Sequence, residues 1–237
     1  SLVGSEMCIR DSARSMPTSM AVDSVAKKIN IPCYETPTGW KFFGNLLDSN
    51  MITLCGEESF GTGSHHIREK DGLWAVLFWL QILACRKCSV SELIHNHWNH
   101  FGRNYYTRHD YEAIPKDVAT QIYQNLEHLL PQLKNNKFAN SLVLNADNFT
   151  YSDPVDNSIS KNQGLRIILE NDSRIILRLS GTGTKGSTLR IYFEQYCQTN
   201  ENLNLNPQVA LCELIKSLDD LLNISKLTKM DQPTVIT

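Results

Sequence analysis

Residues 31–54, IPCYETPTGWKFFGNLLDSNMITL, carry the pattern that decides the fold of the chain's first half. The spacing predicts a strand over 31–34, then a loop in which Pro37 bars helix continuation and Gly39 supplies conformational freedom. Trp40, Phe43 and Leu47 fall on one face of a helix over 40–47, and 51–54 reads as a short buried strand. Strand, loop, helix and strand again is the rhythm of an α/β unit, a mixed or parallel sheet with flanking helices. In such units ligands gather at the loops beyond the carboxyl ends of the strands. Thr38 and Gly39 occupy one such loop.

The next loop is Cys55-Gly56-Glu57-Glu58-Ser59-Phe60-Gly61-Thr62-Gly63. Carboxylates accept hydrogen bonds from vicinal sugar hydroxyls, and a serine hydroxyl donates or accepts. Glu57 and Ser59 therefore suit a polyhydroxylated ligand, with a capped turn bearing two exposed acids as the plain alternative. Lys70, in His66-Ile67-Arg68-Glu69-Lys70-Asp71, suits an acid/base role or a phosphate contact, although a lone lysine is more often plain surface. Asp71 is placed to cap a helix beginning near Gly72. Residues 73–85 are apolar nearly all round, too short to span a bilayer and interrupted by Gln81, so this helix is expected to be buried. A second helix is expected over 91–101.

Residues 102–110 are polar, aromatic and unpatterned, and 103–116 read as the linker between two domains, the first spanning 13–102. Beyond it, Val118, Ile122, Leu126 and Leu129 mark a helix closed by Pro131. Residues 165–169 and 174–179 are strand-like runs joined by a turn at Asn171-Asp172-Ser173. Leu189, Ile191 and Phe193 alternate with Arg190, Tyr192 and Glu194, a strand period, and an apolar stripe marks a last helix over 209–222. Strands clustered apart from helices predict an α+β domain with an antiparallel sheet over 117–237.

Between two of those strands lies Arg178-Leu179-Ser180-Gly181-Thr182-Gly183-Thr184-Lys185-Gly186. Its three glycines let several backbone N–H groups approach an anion, and Ser180, Thr182 and Thr184 add hydroxyl donors. Arg178 enters the loop on one strand and Arg190 leaves on the next, so two guanidiniums can converge on the same oxygens. This favours a phosphate over the alternative, a glycine-rich hairpin with two solvated arginines. It is not a P-loop, because Lys185 precedes Gly186 rather than serine or threonine.

Composition is that of an ordinary soluble protein of 237 residues, 41% hydrophobic and 20% charged. A net charge of -2 gives no reason to expect a nucleic-acid or membrane partner. Seven scattered cysteines suit reduced thiols in a cytoplasmic protein, and the lone pair Cys85–Cys88 has no second pair to make a metal site. His95, His97 and His100 do not share one helix face, which sets aside a metal reading with His65 and His66. Residues 1–12, SLVGSEMCIRDS, resemble a translated sequencing-adapter scar and are expected to be non-native, leaving a domain truncated at its amino end.

Several blocks, among them PTGWKFFGNLLD, CGEESFGTGS, HIREKDGLWAVL, FGRNYYTR, YSDPVD, NQGLRII and RLSGTGT, together with the terminal PTVIT, closely resemble the eukaryotic phosphoglucomutases. The similarity runs from about Ala13 to Thr237. It implies most of the third, sugar-binding domain and all of the fourth, phosphate-binding domain of a four-domain monomer. The implied activity interconverts glucose 1-phosphate and glucose 6-phosphate through a phosphoserine and glucose 1,6-bisphosphate, with Mg2+ held by the second domain. Thr38 and Gly39 would help distinguish the two sugar orientations, Glu57 and Ser59 would contact hydroxyls, and Lys70 would lie beside the transferring phosphoryl group. Arg178, Ser180, Gly181, Thr182, Gly183, Thr184 and Arg190 would hold the other phosphate. No TASHNP-like serine loop or DGDGDR-like magnesium loop occurs in the chain, so no catalytic turnover is expected from it alone. His65 stands where an acidic residue is common and Lys185 where a small one is usual. The alternatives are a catalytically silent junction protein of the same superfamily, or a mutase for another sugar phosphate.

Overall fold

The computed structural model describes residues 11–180, 186–198 and 202–237. They form two compact units. The first holds the residues up to Gly102 together with Tyr151–Ser160, and the second holds Arg103–Thr150 and Lys161–Thr237.

In the first unit, β1 (Ser12–Ser15), α1 (Ala21–Ile29), β2 (Cys33–Thr36), α2 (Trp40–Asp48), β3 (Leu54–Glu57) and β4 (Gly61–Ser64) build a four-stranded sheet of order β2-β1-β3-β4. β1 runs parallel to both β2 and β3, while β4 is antiparallel to β3. This is the expected α/β unit with a mixed sheet. Its core is Ala13, Phe43, Leu46, Leu47, Ile52 and Cys55, closed by Trp40, whose ring meets Phe43 edge-on at 5.1 Å. Gly39 precedes α2 at φ 130°, a conformation that L side chains rarely adopt.

β1 lies at the centre of the sheet and carries a buried charge. The Arg14 guanidinium, 4% exposed, pairs with Asp23 of α1 at 2.5 Å and with Glu35 of β2 at 2.9 Å. A buried guanidinium is tolerable only when its donors are satisfied, so the pairs lock α1 and β2 onto β1.

Several expectations need correction here. Ser12, set aside with the first twelve residues, opens β1 and pairs with both Cys33 and Leu54; residues 1–10 lie outside the described residues. The strand expected at 51–54 begins at Leu54 and runs into the acidic loop, which is the tip of a β3–β4 hairpin. The next helix, α3 (Gly72–Arg86), has no buried residue, with Leu73 80% and Leu77 66% exposed. Apolar content states what a helix needs, and the described residues do not supply that cover. The helix starts as foreseen: Asp71 caps it, accepting from the Trp74 N–H at 2.9 Å. α4 (Val90–Phe101) opens on a capping box of Ser89 and Glu92. No single described helix is long and apolar enough to cross a membrane; α3 and α4, bent by 83° at the break, pass that test of length and composition only as a pair.

The second unit opens where a linker was expected. Residues 103–116 are not a connection: Arg103–Ile114 is a twelve-residue strand, β5. It precedes α5 (Lys116–Leu133), β6 (Lys137–Phe138), β7 (Ser141–Asn148), β8 (Tyr151–Ser152), β9 (Ile159–Ser160), β10 (Leu165–Leu169), β11 (Ser173–Ser180) and β12 (Ser187–Cys197). α6 (Pro207–Ala210), α7 (Cys212–Leu222), α8 (Ile224–Thr228) and β13 (Val235–Ile236) complete the chain. The large sheet has the order β13-β5-β12-β11-β10-β7-β6, and adjacent strands all pair antiparallel, as the α+β expectation required. Pro131 sits inside the last turn of α5 instead of ending it, and the helix forgoes the bond that an amide there would donate to Glu127 O. Ile122 and Leu126 of that helix are fully buried. The β8–β9 hairpin, assigned by sequence to the second domain, belongs to the first unit: Tyr151 meets the Phe42 ring at 5.5 Å, and Asn45 donates to Asp153 at 3.0 Å.

Because Arg14 is buried between two carboxylates, Arg14→Ala should destabilise the first unit by about 3–5 kcal/mol, the usual cost of breaking a buried pair on one side. Denaturant unfolding followed through Trp40 fluorescence checks this, and a loss under 1 kcal/mol, roughly the surface-pair scale, would contradict it.

Candidate functional site

In the first unit, the sheet places two strands side by side whose connections depart in opposite directions. From β1 the chain moves to β2 on one side, and from β2 it crosses back to β3 on the other. That is the topological switch point at which open α/β sheets bind ligands. A cavity of about 530 Å³ lies there, lined by Arg14, Thr18, Ser19, Glu57, Phe60 and Trp79 among others. Thr18 and Ser19 were missed by sequence reasoning, which read no strand over Ser12–Ser15 and therefore no loop after it. The signal available was the run Ser15-Met16-Pro17-Thr18-Ser19, hydroxyl residues broken by a proline just ahead of a helix.

The β3–β4 hairpin brings the predicted acidic loop into this cavity. Glu57 is the hinge of the arrangement: its Oε1 accepts from the Ser59 hydroxyl at 3.0 Å and pairs with the Lys70 ammonium. Three of the predicted residues therefore share one oxygen. Gly61 makes this fit, since a Cβ there would stand 2.8 Å from Lys70 Cδ and 2.9 Å from Glu57 Cγ. Phe60, at the tip, has φ 60° and is 92% exposed. A positive φ on a bulky residue is uncommon and marks a loop held in a demanding shape.

Lys70 is held from the other side by the helix that follows. Asp71, beside it, takes the α3 cap, donates its own backbone N–H to Thr62 O at 3.1 Å, and pairs with His66 at 2.9 Å. His66 stacks on Trp74, and the Trp74 backbone N–H, then His66, hold the Asp71 carboxyl below its usual range. The Lys70 ammonium titrates above the ordinary lysine value, chiefly through its hydrogen bond to Glu57 and against a smaller opposing effect of burial. Such a lysine is a proton donor and a fixed cation near neutrality, not a base. Thr38 and Gly39, beyond β2, do not line the cavity; the Thr38 hydroxyl is buried with no hydrogen-bond partner among the described residues. His65 bonds to Asn50 Oδ1 at 3.2 Å.

The second unit carries the arginines. Arg178 on β11 and Arg190 on β12 are direct cross-strand partners, and Ser180 stands opposite Thr188. Neighbours in register project to the same face of a sheet, so both guanidiniums leave one side beside the loop they flank. The predicted phosphate contacts Gly181, Thr182, Gly183 and Thr184, and the unusual Lys185, lie outside the described residues. Gly186 has φ 103°, and a Cβ there would stand 3.0 Å from the Ala113 carbonyl carbon, so the loop returns tightly against β5.

Two family models match the chain. One, for the α/β/α domain III of phosphoglucomutase/phosphomannomutase, covers residues 6–101, and the other, for the C-terminal domain of phosphoglucomutase-1, covers 103–234. The chain belongs to the phosphoglucomutase family. It is 55% identical over 225 residues to the phosphoglucomutase of Rhizobium radiobacter, covering 95% of this chain and 42% of that protein. Against phosphoglucomutase-1 of Oryctolagus cuniculus it is 54% identical over 235 residues, 97% of this chain and 42% of the relative. The crystal structure of the open form of pp63/parafusin, a phosphoglucomutase from Paramecium, superimposes with a TM-score of 0.87 at 49% identity, covering 96% of this chain and 40% of that one. The chain thus spans about two fifths of the length of the relatives it matches. The boundary between the two matches falls at the start of β5, as does the boundary between the compact units.

Among the described residues no group of three or more His, Cys, Asp or Glu is placed to hold a metal ion. The magnesium implied by the phosphoglucomutase resemblance does not fit the donors present here.

Because Glu57 supports the raised titration of Lys70, the pair should persist at neutral pH and open only as pH rises through the elevated lysine value. Glu57→Gln should bring the Lys70 midpoint down toward the ordinary lysine range, and Gly61→Ala should do the same by prising the two stems apart. NMR titration of the Lys70 side chain distinguishes these outcomes from an unmoved midpoint, which would mean that Glu57 does not set the charge of Lys70.

Proposed function

We propose that this chain supplies the sugar-recognition and distal-phosphate parts of a phosphoglucomutase, the enzyme that interconverts glucose 1-phosphate and glucose 6-phosphate. The observation that carries the reading is the convergence of Ser59 and Lys70 on one oxygen of Glu57 at the sheet's switch point. A sugar approaching that point would exchange hydroxyl hydrogen bonds for those of Ser59 and Lys70. Glu57 would accept from hydroxyl donors, Ser59 would complete the pattern, and Lys70, held protonated, would face a phosphoryl group as a fixed cation. Thr38 and Gly39 would help select the orientation of the sugar.

In the second unit, Arg178 and Arg190, with Ser180 and the loop residues Gly181, Thr182, Gly183 and Thr184, would grip the phosphate that is not transferred. Phosphoryl transfer depends mainly on positioning and charge stabilisation, so anchoring the far phosphate orients the reacting one. The phosphoserine, the Mg2+ and the chemistry that passes through glucose 1,6-bisphosphate would belong to parts of the protein that these residues do not match. The protein would work as a cytoplasmic monomer on a small sugar phosphate.

Two measurements test this reading. Glucose 1-phosphate at roughly tens of millimolar, the range of weak binding, should shift NMR resonances of both the β3–β4 hairpin and the Arg178–Arg190 strands, whereas inorganic phosphate should shift only the latter. A hairpin unmoved by the sugar phosphate would overturn the sugar assignment. In a coupled assay the 237-residue chain should form no glucose 6-phosphate. Turnover by the purified chain would show that the catalytic machinery has been misplaced.

A further inference from the structure

Arg178 and Arg190 stand side by side on neighbouring strands, and like charges in direct register repel one another. The same row of the sheet continues to a carboxylate. Asp110 on β5 is the cross-strand partner of Arg190, and its own neighbour on the far side is Val235 of β13. The Asp110 side chain is 3% exposed and its backbone is fixed, since the Asp110 carbonyl accepts from the Thr234 N–H at 2.8 Å. Its Oδ2 lies 3.8 Å from Arg190 Nε, while Oδ1 lies 3.0 Å from Nε of Arg108, two residues back on the same strand and face. Arg190 itself is 32% exposed, so one edge of its guanidinium is directed inward at the carboxylate while part of the group reaches solvent.

From this geometry we infer that Asp110 is a positioning residue for the phosphate site: it draws the Nε edge of Arg190 inward as an ion pair, without a hydrogen bond between them, and leaves the terminal nitrogens to fork onto the anion. The inference rests on the phosphate reading of Arg178 and Arg190. A guanidinium has five donors in a rigid plane, so fixing one edge fixes the direction of the others. Asp110 also offsets the repulsion between the paired arginines before the anion arrives. The carboxylate does not touch the ligand and takes no part in bond making.

The charge argument and the positioning argument predict opposite signs, which makes the proposal testable. If Asp110 acted only through its charge, removing it would draw a phosphate in more tightly. If it aims Arg190, removing it weakens binding. Inorganic phosphate titrated into the full 237-residue chain, followed by NMR, should bind Asp110→Asn about tenfold more weakly than wild type, the scale of one charge-assisted hydrogen bond. Because the effect passes through Arg190, Asp110→Asn should cost almost nothing further in an Arg190→Lys background, a coupling that general loss of stability would not produce.

Equal or tighter binding by Asp110→Asn overturns the inference, as does the same loss in both backgrounds. If circular dichroism shows that Asp110→Asn does not fold, Asp110→Glu keeps the charge while moving the acceptor. That variant should also bind phosphate more weakly, and unchanged affinity would refute the positioning role. Failure of the wild-type chain to bind phosphate, or an Arg190→Lys variant that binds as well as wild type, would instead remove the phosphate reading and this inference with it.

Discussion

The first unit depends on one buried charge. Arg14 sits in an interior strand of a mixed sheet, where an unpaired guanidinium would be untenable, and Asp23 and Glu35 answer it from the following helix and strand. Those pairs tie α1 and β2 to β1, with β3 on the other side. The strand order that results creates the switch point, and the switch point creates the cavity. Glu57, Ser59 and Lys70 meet there because β3 ends beside β1 and because Gly61 lets two long side chains pass. The site is a consequence of how the sheet is ordered more than of any one loop.

In the second unit the equivalent constraint is register. Alignment of β5, β12 and β11 puts Asp110, Arg190 and Arg178 in a single row. A slip of one residue would send each side chain to the opposite face and dismantle the cluster. Gly186 helps to hold the alignment, since only a residue without a Cβ approaches Ala113 and Ile114 so closely. Each unit therefore presents charge from the strands of a sheet.

Legibility along the chain followed the strength of the local physical signal. β12 was readable because Leu189, Ile191 and Phe193 alternate cleanly, and the start of α3 because Asp71 is a strong cap. β5 was not. Its middle buries Thr107, His109 and Asp110, which read as loop residues until their partners are known. Thr107 donates to Thr237 O, His109 Nε2 bonds with Gln208 Oε1, and Asp110 faces Arg108, all contacts supplied by distant sequence except the last. The same limit misled the reading of α3: apolar residues all round imply a need for burial without showing that the cover lies within reach.

Residue type and spacing alone determined the α/β and α+β halves, the carboxylate-hydroxyl loop, the arginines flanking a glycine-rich loop, and the motifs that mark the phosphoglucomutase family. These are local properties, set by side-chain chemistry and by periods of two and 3.6 residues. Tertiary structure alone decided that the acidic loop is a hairpin tip, that Lys70 shares an oxygen with Ser59, that Thr18 and Ser19 line the same cavity, and that Asp110 stands behind Arg190. Each depends on which strand lies beside which, and strand order is fixed by burial and pairing between segments far apart in the chain.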